Sequence, residues 1–335
     1  MRELTVTGKE EGQRLVRYLE KYMPEAGRSF LYKMLRKKNI LLNDKKAGGN
    51  ESLKEGDRIR IWFADETIEK FRGRKDAAGG GAGRKLSPLR SRVKVLLETE
   101  DILILHKPAG MLTQKARPGD DSLNDWLLDY CEERELWKRE ESAAFTPSVA
   151  NRLDRNTSGI VTAGISLRGL QSLSALLAGR ELVKYYLCPV KGRMEKDGYI
   201  KGYLVKNSKT NKVTVSDRPV KEAARIETSY RVLQAGPEAS LLKVDLITGK
   251  SHQIRAHLAS AGHPLCGDAK YGDPGWNAWL KKKTGLDHHL LHSSELIIEK
   301  GQDPVEALHV KDPVPEQFRN VLRLLNLSHP ETEAY

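Results

Sequence analysis

Arg152-Leu153-Asp154-Arg155-Asn156-Thr157-Ser158-Gly159, running on into Ile160-Val161-Thr162, joins a polar turn to an apolar, strand-like stretch. Asn, Thr, Ser and Gly are turn-building residues, and the β-branched run after them suits a strand. A side chain on a loop that feeds directly into a buried strand is held rigidly at a cleft. Asp154 lies between two arginines whose guanidinium groups would favour its ionised form. On these residues alone two readings stand. Asp154 is either a working carboxylate at a cleft or a structural ion pair with Arg152 or Arg155.

Outward from this stretch, helical and strand patterns alternate. Leucines at 167, 170, 173, 176 and 177 recur at helical spacing and predict a helix over 167–177. Strands are predicted over 93–97, 102–105, 183–190, 223–233, 241–247 and 290–298, and a helix over 252–260 with Ser251 as its cap. The expected class is α+β. A domain over 93–325 carries a mixed, largely antiparallel sheet flanked by helices, and a tail follows over 326–335.

Residues 1–64 read as a small separate α/β module. Leu15, Tyr18 and Leu19 line one side of a helix over 13–22, which Pro24 and Gly27 end. Ser29 is placed to cap a second helix with Phe30, Leu31, Met34 and Leu35 on one face and Arg28, Lys33, Arg36 and Lys37 on the other. Strands over 40–43 and 57–63 follow. Residues 65–92 contain Gly79, Gly80, Gly81 and Gly83 among Arg, Lys and Ala, and predict a flexible basic linker.

Charge follows the same division. Of a net +12, residues 1–92 contribute +10, with 23 Lys and Arg against 13 Asp and Glu. The positive potential therefore lies at the N-terminal end, where a polyanion would dock. Alone, such a charge fits a solvated face equally well. Cys131, Cys188 and Cys266 match neither a disulfide framework nor a metal-binding pair, and predict reduced thiols in a cytoplasmic protein. No signal peptide, transmembrane helix or membrane partner is expected. A monomer is the default.

Two further segments carry polar groups. Thr248-Gly249-Lys250-Ser251-His252-Gln253-Ile254-Arg255-Ala256-His257 places His252, Gln253 and Arg255 near a helix start. His252 and His257 are five apart and do not share a helix face, so no metal site is predicted. In Lys184-Tyr185-Tyr186 the tyrosines point to opposite sides of a strand, so one can face a cleft while the other packs.

Taken in order, six segments resemble the RluA-type pseudouridine synthases over nearly all of 93–325: HKPAGMLTQ (106–114), RLDRNTSGI (152–160), KYY (184–186), TGKSHQIRAHL (248–258), GHPLCGD (262–268) and LHSSEL (291–296). Residues 1–64 resemble the alpha-L RNA-binding fold of ribosomal proteins. The resemblance implies that Asp154 is the catalytic aspartate, that Arg255 pairs with it, and that Tyr186 contacts the uracil ring and serves as a base. Arg152, Arg155, Thr157, His252 and Gln253 are then expected to touch substrate, and Arg28, Lys33, Arg36 and Lys37 to bind RNA. Asn151, Lys250 and Ser251 depart from the more frequent His, Arg and Thr of that family.

The implied reaction isomerises uridine and needs no cofactor or metal. The partner is structured RNA, ribosomal RNA of the large subunit in the first place and transfer RNA in the second. Two rivals remain at this point. One is a non-catalytic RNA-binding assembly factor. The other is a hydrolase of a sugar bond, which would need a second carboxylate, for which Asp245 and Asp268 are the candidates by position.

Overall fold

The computed structural model describes residues 1–73, 86–139, 142–207, 212–221 and 223–332. The N-terminal segment forms β1 (Arg2–Thr5), α1 (Leu15–Tyr22), α2 (Arg28–Arg36), β2 (Ile40–Leu42), β3 (Lys45–Lys46), β4 (Arg58–Ile61) and α3 (Asp65–Arg72). Its strands make a sheet in the order β1-β4-β2-β3. Leu15, Leu19, Leu31 and Leu35 from the two helices close on Ile40, Ile59 and Ile61, all fully buried. The backbone turn at Gly27, not Ser29, precedes α2, and no side chain caps that helix.

The expectation of a linker from residue 65 needs correction. Residues 65–72 form α3, because Ile68 is buried in the same core and the Phe71 ring lies 4.9 Å from that of Phe30. Gly79–Gly83 fall outside the described residues. The segment also touches the rest of the chain: Glu10 is buried, its carboxylate accepts the Ala144 amide at 2.6 Å, and Ala144 joins the N-terminal core.

The larger part contains β5 (Lys94–Glu98), β6 (Ile102–Lys107), α4 (Leu123–Glu133), β7 (Ser148–Val149), β8 (Ser158–Gly164), α5 (Leu167–Gly179), β9 (Leu182–Lys191), β10 (Gly198–Asn207) and β11 (Lys212–Ser216). These are followed by β12 (Ala224–Ala235), β13 (Ala239–Asp245), α6 (Gln253–Ser260), α7 (Pro274–Thr284), β14 (His292–Ile298), β15 (Leu308–Lys311) and α8 (Glu316–Leu324). The sheet has 11 strands, ordered β11-β10-β12-β13-β9-β14-β8-β6-β5, with β15 beside β14 and β7 beside β8. Among the pairings of these strands only the short β8–β14 one is parallel. The fold is thus α+β with a mostly antiparallel sheet, as its sequence pattern indicates.

Two local features place the site. First, β14 changes neighbours midway. His292 and Ser293 pair with β8, and beyond an irregularity between Ser293 and Glu295 the partner is β15. At this junction Gly159 (φ +112°) runs so close to β14 that a Cβ would sit 2.2 Å from the Ser293 carbonyl oxygen, so only glycine fits. Second, α6 starts from His252 in the left-handed region (φ 56°, ψ 15°), and Ser251 makes no cap. The helix then lies against β10, β11 and β12. Its Ile254 and Leu258 pack with Tyr186, Cys188 and Val190 of β9 and Leu242 and Val244 of β13.

Candidate active site

Asp154 sits in the loop before β8, partly exposed, and its partner is neither flanking arginine. Arg152 and Arg155 are exposed. Arg255, from the first turn of α6, donates from Nη1 to Asp154 Oδ2 at 3.0 Å. Its other edge is gripped by Asp268, with Nε to Oδ2 at 2.7 Å and Nη2 to Oδ1 at 2.9 Å. Asp268 is fully buried and also accepts the backbone amides of Lys270 and Tyr271 at 2.9 and 3.2 Å. Burial works against its charge, but the Arg255 hydrogen bonds and charge outweigh that and hold the carboxyl below its ordinary value. Arg255 responds in kind: burial opposes its charge, and the two carboxylates more than restore it. A buried acid therefore orients a buried guanidinium, whose free edge presents a fixed cation to a reachable carboxylate.

Tyr186 lies on the α6 side of β9 and is 4% exposed. Burial, helped by the Asp154 charge, pushes its phenol up to about 12. Tyr185, one residue earlier, faces the other way and meets the Lys243 ammonium 4.9 Å from its ring. His252 places Nε2 3.7 Å from Asp154 Oδ2, while its Nδ1 is 2.8 Å from the Tyr271 hydroxyl.

The loop itself is clamped from the β6 side. Lys107, with no exposed surface, donates to the carbonyls of Pro108, Met111 and Arg155 at 3.1, 2.8 and 3.0 Å. Thr113 Oγ1 donates to the Leu153 carbonyl at 2.8 Å and accepts the Leu153 amide at 3.1 Å. Asn151 Oδ1 accepts from the Thr162 amide and hydroxyl at 2.7 and 2.9 Å, tying the start of the loop to β8.

The structure thus brings Asp154, Arg255, Tyr186 and His252 together. Two expected substrate contacts are corrected. Thr157 is buried, with its hydroxyl bonded to His289 Nε2 at 3.0 Å. Gln253 is buried, and its amide spans the Glu227 carbonyl, Thr228, Thr248 and the Lys250 amide, which leaves it no group for RNA. Arg28, Lys33, Arg36 and Lys37 are exposed on α2 and the turn after it, although Arg28 is shared with Glu20 at 3.3 Å. Tyr271 and Lys107 belong to the constellation and had no assigned role in the sequence, and Asp268 joins them, which the sequence offered only as a candidate second carboxylate. Asp268 is committed to Arg255, and Asp245 pairs directly with Tyr185 on the face away from Tyr186, so neither supplies the second carboxylate of a glycosidase. Among the described residues no cluster of His, Cys, Asp or Glu could hold a metal, and no helix is long and apolar enough to cross a membrane. All three cysteines are free and buried.

The RNA pseudouridylate synthase family model matches residues 101–260, which include Asp154, Tyr186 and Arg255. An uncharacterized RNA pseudouridine synthase of Mycoplasma genitalium is 30% identical over 293 residues, 87% of each chain. The chain belongs to the RluA-type RNA pseudouridine synthase family. Within that family, the ribosomal large subunit pseudouridine synthase C of Escherichia coli K12 is 28% identical over 325 residues, 96% of each chain. The solved human RNA pseudouridylate synthase domain containing 4 shares the fold at a TM-score of 0.57 and 22% identity, over 72% of this chain and 95% of that one. The protein is a pseudouridine synthase, an isomerase acting on RNA. A non-catalytic assembly factor is thereby set aside.

Proposed function

We propose that Asp154 is the catalytic carboxylate and that the substrate is ribosomal RNA of the large subunit. The observation that carries the first part is the Asp268–Arg255–Asp154 series, in which two buried groups hold one accessible carboxylate in place. The reaction breaks the bond from ribose C1′ to uracil N1, turns the ring, and joins C5 to C1′. The C5 proton leaves and N1 gains one, so no atom is lost overall. A fixed carboxylate beside the sugar assists as nucleophile, as base, or by opposing positive charge that develops at C1′. Arg255 orients that carboxylate through its 3.0 Å hydrogen bond. Tyr186 forms the wall against which the uracil rests. With its phenol at about 12, it is neutral at physiological pH, which favours ring contact over proton removal.

The target uridine must leave its stack to reach Asp154. Arg152 and Arg155, exposed on either side of the carboxylate, are suited to the flanking phosphates. The ribosomal target is supported by relatives named as large-subunit synthases that align over nearly the whole chain. The exposed cations on α2 support an RNA-binding role for the N-terminal segment, within a cytoplasmic enzyme. The test follows tritium at uracil C5 in ribosomal RNA lacking this modification. The intact enzyme should release tritium without free uracil, and Asp154→Asn should not. Undiminished release by the variant sinks the assignment, and free uracil would reinstate the hydrolase.

A further inference from the structure

Tyr271 touches three of the groups around Asp154: Asp268, Arg255 and His252. Its backbone amide reaches Asp268 Oδ1 at 3.2 Å, and its ring lies under the Arg255 guanidinium at 5.2 Å. Its hydroxyl accepts the amide of Val213 in β11 at 3.0 Å and lies 2.8 Å from His252 Nδ1. Proton counting then fixes the roles. The oxygen already accepts from Val213, and the hydroxyl hydrogen needs an acceptor of its own. The neighbouring Nδ1 is that acceptor only if the imidazole carries its hydrogen on Nε2. The opposite tautomer would direct two donors at the phenol oxygen and leave the hydroxyl hydrogen to solvent in place of the imidazole. Burial disfavours the doubly protonated ring, with the Asp154 charge acting the other way.

From this geometry we infer that Tyr271 is a positioning residue for the isomerisation: it fixes His252 as the Nε2–H tautomer, so that a hydrogen-bond donor faces Asp154 and the target nucleotide. The Nε2–Asp154 Oδ2 separation of 3.7 Å is too long for a hydrogen bond in the free enzyme, so that hydrogen remains available to substrate. The ring is held by its own backbone and by Tyr271. The left-handed backbone at His252 turns it toward the loop, Tyr271 meets it edge-on with ring centres 5.7 Å apart, and the hydroxyl sets its plane. Non-glycine residues in that backbone region cost about 1 kcal/mol or more and persist where the surroundings require them.

The inference rests on Asp154 being the catalytic carboxylate, and the experiment separates the two. In full-length protein labelled with ¹⁵N-histidine, the His252 signals, assigned by their loss in His252→Gln, should show the Nε2–H pattern. Tyr271→Phe should shift them toward the Nδ1–H pattern and lower kcat about 10-fold, the worth of one well-placed hydrogen bond, with KM within about twofold. In His252→Gln the amide nitrogen supplies a donor near the Nε2 position without needing Tyr271. Adding Tyr271→Phe to that variant should therefore cost little more. Unchanged histidine signals in Tyr271→Phe would overturn the inference. So would an equal loss of kcat in both backgrounds, which would mark Tyr271 as packing alone. The nitrogen signals do not depend on catalysis, so an active Asp154→Asn would refute the parent reading while this one is still read out.

Discussion

Replacing Asp268 by asparagine removes one charge and changes almost no volume, which isolates what the buried acid does for Arg255. In the native protein the carboxylate takes two hydrogen bonds from the guanidinium at 2.7 and 2.9 Å and two from backbone amides, with no exposed surface. Removing one partner of a buried ion pair costs about 3–5 kcal/mol. Asparagine keeps one carbonyl acceptor and Asp154 still faces Arg255, so the low end applies, about 3 kcal/mol. At about 2–4 °C per kcal/mol for a domain of this size, the melting temperature should fall by roughly 6–12 °C. Arg255 should also turn toward Asp154 once its other edge is released. A misplacement near 1 Å costs about 100-fold in rate, so kcat should fall between about 10- and 100-fold at temperatures where the variant is folded. Thermal unfolding followed by circular dichroism and tritium release on the same preparation measure both. A melting temperature within about 2 °C of the parent, a small fraction of the shift expected from a buried pair, would refute the reasoning that the pair orients the site at an energetic cost to the fold.

Stability should also depend on mildly acid pH through His289 and His292. Burial drives the first down to about 3, with the Arg255 charge adding to the effect, and burial lowers the second. The folded protein then binds fewer protons than the unfolded chain below about pH 6.5, so their contribution is complete above that value and declines as pH falls, by up to about 1.4 kcal/mol per pH unit for each fully buried histidine. Urea midpoints at pH 7 and pH 5 check this, and equal midpoints would contradict it. Changing Lys33, Arg36 and Lys37 together to glutamine should leave the fold intact and weaken RNA binding. The slope of log affinity against log salt should drop by about 0.7–0.9 for each phosphate that is no longer neutralised, and an unchanged slope would move the RNA surface elsewhere. Charge changes are a better probe than deleting 1–92, because Glu10 holds the Ala144 amide and Arg90 pairs with Asp121 and Asp129 of the larger part.

How far the sequence could be read depends on the range of the interaction. The periodic leucines of α5 and the apolar faces of α1 and α2 are local patterns, and they form the helices expected of them. The helix over 65–72 was obscured because Ile68 and Phe71 are its only apolar residues, and their partners, Phe30 among them, lie about forty residues earlier. Asp154 and Arg255 are 101 residues apart, so no spacing rule pairs them, and the adjacent arginines were the plausible local partners. Thr157 and Gln253 stand in the right segments, but sequence does not reveal whether a polar side chain bonds inward or points out. Asp268 looked like a spare acid, and its commitment to Arg255 is visible only when the turn after 262 folds back on α6.

The loop that carries Asp154 is fastened at Asn151, Leu153 and Arg155, and its Thr157 amide bonds back to the Asp154 carbonyl at 3.1 Å. Such a loop behaves as a mould and not as a clasp. Its ordering is completed when the chain folds, so substrate encounter adds no entropic penalty on that side. The rearrangement that brings uridine to the carboxylate is then left to the nucleic acid. A slow step in single-turnover kinetics should respond to the stability of the RNA helix around the target, and hardly at all to solvent viscosity acting on this loop.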